Sequence, residues 1–380
     1  MAQSENWKNL ILQYPGLIVT GSNAKGTVKI QGKWFRVKIL CPNFPQLQDA
    51  IIELLQTHQN KFITILNTNL QSGWTLYDAM ENIPQLLQKQ CEKISTFSCR
   101  SEDTLPENIY QEIVAIYSPE SYQLQLNDAC SRLRFCKFAL HGKHYLQVEL
   151  PSLRISEHSL PDCFDWEEQL HKYNNLAAMV QQFQKYLEDL QPFYDNFTDI
   201  DELCYVVQPS PPVSTKHNWR LFVLRERVYL KLVIVDPFAP IASMSLQVIG
   251  PTQAVEELRR TLSDGLREWD AELDIHKNLL RIFDLCYFPM PPGSGWLGGE
   301  HEATAAEQFC NICYSYQLDQ GEIPIVSCDN PHCTLIYHAS CLKEWFNTLT
   351  DGKNFLSVSF GACPFCKTKL STSFAELLEN

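Results

Sequence analysis

The clearest pattern in the chain is a run of alternating apolar and polar residues, "GTVKIQGKWFRVKIL". Val28 and Ile30 precede a Gln31-Gly32 pair, and Phe35, Val37 and Ile39 follow it. A period of two on both sides of a glycine-containing pair predicts a β-hairpin. After "CPNFP", the run "QLQDAIIELLQ" spaces its apolar residues as a helix does. The scheme returns in "RLRFCKFALHGKHYLQVEL", where Leu133 and Phe135 precede a His141-Gly142 turn and Leu146, Val148 and Leu150 follow. A proline-bounded loop then leads to a helix with Leu176, Met179, Val180, Phe183, Leu187 and Leu190 on one face. "NWRLFVLRERVYLKLVIVDPFAP" is the third instance. Its helix carries Val255, Leu258, Leu262, Leu266, Trp269 and Leu273 at spacings of three and four.

Hairpin, proline-containing crossing and packed helix, recurring about every hundred residues, predict three related α+β modules. The plainer alternative is that any α+β protein offers strands followed by helices. The polar run "SEDTLPEN" and the loop "QPSPPVSTKHN" mark boundaries, giving modules over 1–104, 105–200 and 201–290. The Pro/Gly-rich stretch from Phe288 to Gln308 reads as a linker, 291–308 in its narrower bounds, ahead of a tail over 309–380. On this reading metal removal should unfold the tail and spare the modules before it.

Composition narrows the function classes. The 380 residues are 45% hydrophobic and 20% charged, ordinary for a soluble protein with a large core. A formal net charge of -13 and the lack of a Lys/Arg cluster argue against direct nucleic-acid binding. No run approaches the roughly 20 apolar residues that span a membrane, and "MAQSENWKNL" lacks the regions of a signal peptide. Fifteen cysteines without such a signal point to a reducing compartment, where they are free thiols or metal ligands.

Seven of those cysteines fall between Cys310 and Cys366. With one histidine they form four pairs: Cys310-x2-Cys313, Cys328-x4-Cys333, His338-x2-Cys341 and Cys363-x2-Cys366. Zinc takes four tetrahedral thiolate or imidazole ligands, so eight ligands imply two structural Zn2+ ions in closed sites. A closed site has no open position for water and is not itself a catalyst. The pairs can be used in sequence or alternately, and His332 beside Cys333 offers a rival fourth ligand. The other eight cysteines are scattered singly, and the default for them is a buried small hydrophobe.

The ligand order, with "YHASCLKEWF" and "CPFC", resembles a RING domain of variant C4HC3 order. RING domains are cross-braced. The resemblance therefore implies Cys310, Cys313, His338 and Cys341 on zinc one, and Cys328, Cys333, Cys363 and Cys366 on zinc two. It also favours Cys333 over His332, which would sit next to Pro331 in a tight turn. The same order resembles the PHD finger, a histone-tail reader, but PHD fingers usually carry an aromatic two residues before the seventh ligand, where this chain has Gly361. The RING features are present instead: Ile312 between the first ligands, Trp345 after the sixth, and Pro364 inside the last pair. In RING ligases these positions form an apolar groove for a ubiquitin-conjugating enzyme (E2). Lys367 stands where many RING domains place an arginine that bridges E2 and ubiquitin, and a lysine lacks the planar fork.

Taken whole, the order of modules resembles the Fanconi anaemia complementation group L family of ubiquitin ligases. That resemblance implies an α+β multidomain chain: three E2/RWD-like modules, the first E2-like and the next two a double RWD, then a zinc-bound cross-brace RING. The E2-like module has no catalytic cysteine, since no His-Pro-Asn motif occurs and "CPN" at Cys41 to Asn43 is a superficial echo. The implied function is a RING-type E3 that recruits an E2–ubiquitin thioester and monoubiquitinates a substrate protein pair in DNA interstrand crosslink repair. No residue of the chain is expected to be catalytic or to carry ubiquitin covalently. Implied partners are the E2, ubiquitin, substrates held by the central RWD-like modules, and further subunits of a multiprotein complex. Residence in nucleus and cytoplasm is implied as well. The alternatives are a PHD-like zinc reader and a non-catalytic zinc scaffold.

Overall fold

The computed structural model describes residues 2–57, 59–67, 73–89, 94–99, 105–116, 121–138, 142–170, 172–173, 175–290, 309–319, 321–355, 358–373 and 377. The chain forms two compact units: Met1–Leu160 with Asp165–Glu188, and Pro161–Phe164 with Asp189–Asn380.

In the first unit, helix α1 (Ala2–Gln13) precedes an antiparallel sheet. Its order is β1 (Leu17–Thr20), β2 (Asn23–Ile30), β3 (Lys33–Leu40), β4 (Ile51–Gln56) and β5 (Lys61–Asn67), with β6 (Ser98–Cys99) paired to β3. The β2–β3 hairpin pairs Val28 with Phe35 and Ile30 with Lys33. Gln31 and Gly32 both take positive φ, 47° and 79°, the turn whose twist matches its strands. The helix expected in "QLQDAIIELLQ" is strand β4. Apolar residues at Leu47, Ile51 and Leu54 satisfy a helical period as well, but two strands stand ready to pair with this segment. Ile52 pairs with Ile39 and Leu54 with Val37 on one side, and Leu54 with Ile63 on the other. β-branched Ile51 and Ile52 suit that pleated surface. Helices α2 (Leu76–Glu81) and α3 (Ile83–Lys89) follow, α2 opened by a Thr75/Asp78 capping box. Their buried Leu76, Met80, Ile83 and Leu87 join Trp7, Phe35 and Ile52 in one core.

The second module has α4 (Glu107–Ile116), then β7 (Gln123–Leu126), β8 (Arg132–Cys136), β9 (Tyr145–Glu149) and β10 (Arg154–His158) as a four-stranded meander. Helices α5 (Trp166–Leu170) and α6 (Leu176–Asp189) close it. Leu133 pairs with Val148 and Phe135 with Leu146, all four buried. The β8–β9 connection is longer than the two-residue turn expected; His141 lies outside the described residues, and Gly142 takes φ 59°. The α6 face Leu176, Met179, Val180, Phe183 and Leu187 is buried, with Phe183 on Phe138 at 5.1 Å between ring centres.

The second unit opens with α7 (Gln191–Leu203). A second four-stranded meander follows: β11 (Val206–Gln208), β12 (Trp219–Arg225), β13 (Val228–Ile234) and β14 (Met244–Ile249). Helices α8 (Thr252–Gly265) and α9 (Ile275–Ile282) complete the lobe. α8 is shorter than its spacing predicts. Val255, Leu258 and Leu262 are buried, but the chain tightens into a 3-10 turn from Leu266, which is exposed. Gly265, the last residue of α8, lets α9 pack closely there: a Cβ would lie 2.7 Å from Ile282. Phe288, placed at the start of the linker by its Pro/Gly-rich surroundings, is core. It is fully buried against Phe222 and His276, and Tyr205 N–H donates to the Pro289 carbonyl at 2.9 Å. The stretch 291–308 lies outside the described residues.

The C-terminal module is small. It has the two-stranded β15 (Val326–Ser327) and β16 (Ile336–Tyr337), helix α10 (Ala339–Thr348), and a sheet of β17 (Lys353–Phe355), β18 (Val358–Ala362) and β19 (Lys369–Ser373). It does not stand apart from the lobe before it. Leu221 and Tyr229 of that lobe belong to the same hydrophobic cluster as Ile323, Val326, Tyr337 and Leu342, with Val207, Trp219, Val223 and Ile249 packed on it.

Candidate metal centres

Four cysteines, Cys310, Cys328, Cys333 and Cys363, are buried in the C-terminal module's hydrophobic cluster. Cys310, Cys313, His338 and Cys341 place their ligand atoms within 4.8 Å of one another, and Cys328, Cys333, Cys363 and Cys366 do the same. The first and third pairs thus meet in one cluster and the second and fourth in the other, so the chain crosses between them. His332 is outside both: it is exposed, and its backbone N–H is taken up by the Asn330 side chain.

Local structure aims these atoms. His338 is the N-cap of α10, and Cys341 stands in that helix's first turn. The Nε2 of His338 lies 3.1 Å from the Tyr316 carbonyl. A proton there leaves the Nδ1 lone pair facing sulfur, 3.3 Å from Cys313 and 3.7 Å from Cys341. The His338 N–H donates to Cys310 Sγ at 3.4 Å. In the other cluster, the Tyr337 hydroxyl lies 3.1 Å from Cys363 Sγ, and the Cys366 thiol donates to the Thr368 hydroxyl at 3.3 Å.

Such clusters suit a soft divalent cation. Burial pushes the Cys341 thiol up to about 12, and the neighbouring Cys310 pushes the same way. Burial likewise raises Cys328. The Thr368 hydrogen bonds pull Cys366 down to about 6. Thiols crowded in this way oppose one another's ionisation, and a cation at the centre removes the conflict. The donor sets, three sulfurs with one nitrogen and four sulfurs, are those of closed tetrahedral sites.

The buried face of α10 is Ala339, Leu342 and Phe346. Trp345 flanks it, half-buried. Its Nε1–H donates to the Ala362 carbonyl at 2.9 Å, and the Lys367 Nζ lies 5.8 Å from its ring centre. Lys367 also donates to the Pro364 carbonyl at 2.7 Å, so its ammonium folds back onto the loop of the last pair. Trp345 is therefore fixed against the Cys363–Cys366 loop that carries half-buried Pro364, and half-buried Ile312 lies on the Cys310–Cys313 loop. Two exposed aromatics were missed in the sequence: Tyr314, 73% exposed, and Phe365, 54% exposed. Their position directly beside metal-loop cysteines was the available signal. Gly361 has no room for the aromatic a PHD finger carries: a Cβ there would lie 2.3 Å from the Phe346 ring.

Family models agree with this layout. Those described as FANCL UBC-like domains 1, 2 and 3 match residues 8–89, 107–190 and 192–291, and the FANCL C-terminal domain matches 306–375. Three UBC-like modules ahead of a RING-like Cys/His module define a multidomain protein of the ubiquitin-conjugation class. The chain is 50% identical to the E3 ubiquitin-protein ligase Fancl of Drosophila melanogaster, over the full length of both. It is 25% identical to the mouse E3 ubiquitin-protein ligase FANCL, over 91% of each chain. A solved structure titled "Crystal Structure of FANCL" covers 98% of this chain and all of its own, at 48% identity and a TM-score of 0.64. The chain belongs to the FANCL family of E3 ubiquitin-protein ligases.

Proposed function

We propose that the chain is a RING-type E3 whose C-terminal module, held by two structural Zn2+ ions, positions an E2–ubiquitin thioester. Cys310, Cys313, His338 and Cys341 hold one ion, and Cys328, Cys333, Cys363 and Cys366 the other. The ions supply rigidity, not reaction chemistry. Ile312, Trp345 and Pro364 form the E2 groove, with Lys367 beside it. The substrate lysine attacks the thioester carbonyl, an isopeptide bond forms, and the E2 cysteine leaves as thiol, its proton balance met by the lysine amine. Rate comes from holding the thioester and the amine in reactive proximity. No covalent ubiquitin–E3 intermediate forms. Cys41, Cys130 and Cys163 support this, since burial raises each thiol to about 11 and so suppresses the nucleophilic thiolate.

The observation that carries the groove is Trp345, half-buried and pinned by its indole N–H to Ala362, which gives a rigid aromatic with one side in solvent. The UBC-like modules bind ubiquitin and substrate rather than catalyse. Family membership supports a role in monoubiquitinating a substrate pair during DNA crosslink repair, within a multiprotein complex and in the nucleus as well as the cytoplasm. The test is titration of E2 by calorimetry beside zinc content and a thermal melt. Trp345→Ala or Ile312→Ala should cost about 2 kcal/mol or more, roughly thirtyfold in affinity, with zinc and melt unchanged. Wild-type E2 affinity in a folded Trp345→Ala protein would refute the groove.

A further inference from the structure

The β12–β13 hairpin ends in the turn Arg225-Glu226-Arg227, and Arg227 takes φ 61° in it. That left-handed backbone is costly for a residue with a side chain. The side chain offers a reason for it. Arg227 Nη2 donates to the Cys328 carbonyl at 3.0 Å and to the Cys333 carbonyl at 3.1 Å. Both acceptors belong to residues of the all-sulfur cluster, and the donor belongs to the preceding lobe. The same loop is tied a second time: the Thr252 N–H at the start of α8 donates to the Asp329 carboxylate at 2.8 Å.

Charge favours the same arrangement. Four thiolates around a divalent cation leave two negative charges, against one for three thiolates and an imidazole. Arg227 brings a permanent positive charge to the more negative of the two sites. Its hydrogen bonds also tie together the backbones of the two cysteines at the ends of the loop.

We propose that Arg227 is a positioning residue for the second metal: it clamps the Cys328–Cys333 loop from the neighbouring lobe and offsets the charge of the four-thiolate site. Metal retention at that site is thereby coupled to the third UBC-like module. The proposal rests on the metal reading above. Outer partners of this kind typically change metal affinity about 10–100-fold.

The full chain loaded with cadmium-113 tests it, since sulfur-only and sulfur-with-nitrogen sites give separate NMR signals. Two signals in the wild type are expected; fewer would overturn the metal reading and the clamp with it. In Arg227→Ala the sulfur-only signal should shift and the other stay. In the zinc-loaded chain, a chromogenic chelator should remove one of the two metals about tenfold faster or more. Arg227→Gly, which removes the turn strain as well as the guanidinium, should lose that metal as fast as Arg227→Ala, and Arg225→Ala should behave as wild type. If Arg227→Ala and Arg227→Gly do not fold, Arg227→Lys decides, with an intermediate acceleration at the second site alone expected. Wild-type rates and signals in the folded variants, or equal loosening of both metals, would overturn the clamp.

Discussion

The second and third UBC-like modules carry the same four-stranded meander, yet their sheets meet different surroundings. In the second, the outward positions of β8 and β9 pair Arg132 with Glu149 and Arg134 with Gln147. That face is wet, and the strands alternate strictly. In the third, the equivalent positions pair Trp219 with Val233, Leu221 with Lys231 and Val223 with Tyr229. Leu221 is only 2% exposed because the C-terminal module lies on it. A sheet buried on one face alternates, whereas one buried on both reads as a nearly unbroken apolar run. "RLFVLR" and "VYLKLVIV" are that run. The difference teaches that the metal module is the second cover of the third module's sheet, and that the two fold as neighbours rather than as beads on a linker.

Metal removal is the strongest way to break the comparison. Structural zinc contributes on the order of 10–16 kcal/mol in small fingers, so chelation should melt the C-terminal module. With its cover gone, the apolar outer face of β12 and β13 meets water. Hydrogen exchange read by mass spectrometry should then show lost protection in β12 and β13 as well as in α10, while β8 and β9 keep theirs. Unchanged exchange in β12 and β13 would mean that the docked module adds nothing to the lobe.

A matched pair of substitutions asks the same question more gently. Leu221→Ala opens a cavity at the docked face and should cost about 2–5 kcal/mol in denaturant unfolding of the second unit. Gln147→Ala, at an outward position of β9 where the side chain meets Ser156 in solvent, should stay within about 0.5 kcal/mol. Equal costs at the two sites would erase the distinction between the sheets.

Much of this was legible in the sequence, for identifiable reasons. The β2–β3 hairpin and the strands β8, β9, β12 and β13 were readable because a period of two and turn glycines are local signals. The Cys/His pairs were readable because metal ligands must recur at fixed short spacings. The misreadings came where the deciding partner is distant in sequence. Strand β4 has a helical spacing, and only β3 and β5 make it a strand. Phe288 sits among prolines and glycines, and only Phe222 and His276 make it core. The Pro/Gly-rich composition of 291–308 suggests an independent tail, but it says nothing of what the tail packs on. The two-sided apolar run of β12 and β13 held that answer, but it asks for a cover without naming which segment supplies it. Arg227 gave no local signal at all, because its partners are carbonyls about a hundred residues on.

The smallest perturbation sharpens the comparison furthest, because it touches neither metal nor interface. Asp274 caps α9, its carboxylate accepting the Lys277 N–H at 2.8 Å and the Lys277 ammonium at 2.6 Å. Burial alone would raise its pKa, but the hydrogen bonds and charge of Lys277 outweigh that and lower it. A carboxyl lowered on folding adds stability that is complete above its ordinary value, and this is lost as pH falls through the lowered one. Asp274→Ala should therefore cost about 1 kcal/mol at neutral pH, and the gap from wild type should narrow under acid. If the third module and the metal module open together, protection should fall equally in α9 and in α10, though α10 is untouched. Thr75→Ala, which removes the capping box of α2 in the other unit, should leave α10 unchanged. A loss confined to α9 would show two modules of the second unit that touch but unfold separately, and the shared cover would then be contact without cooperativity.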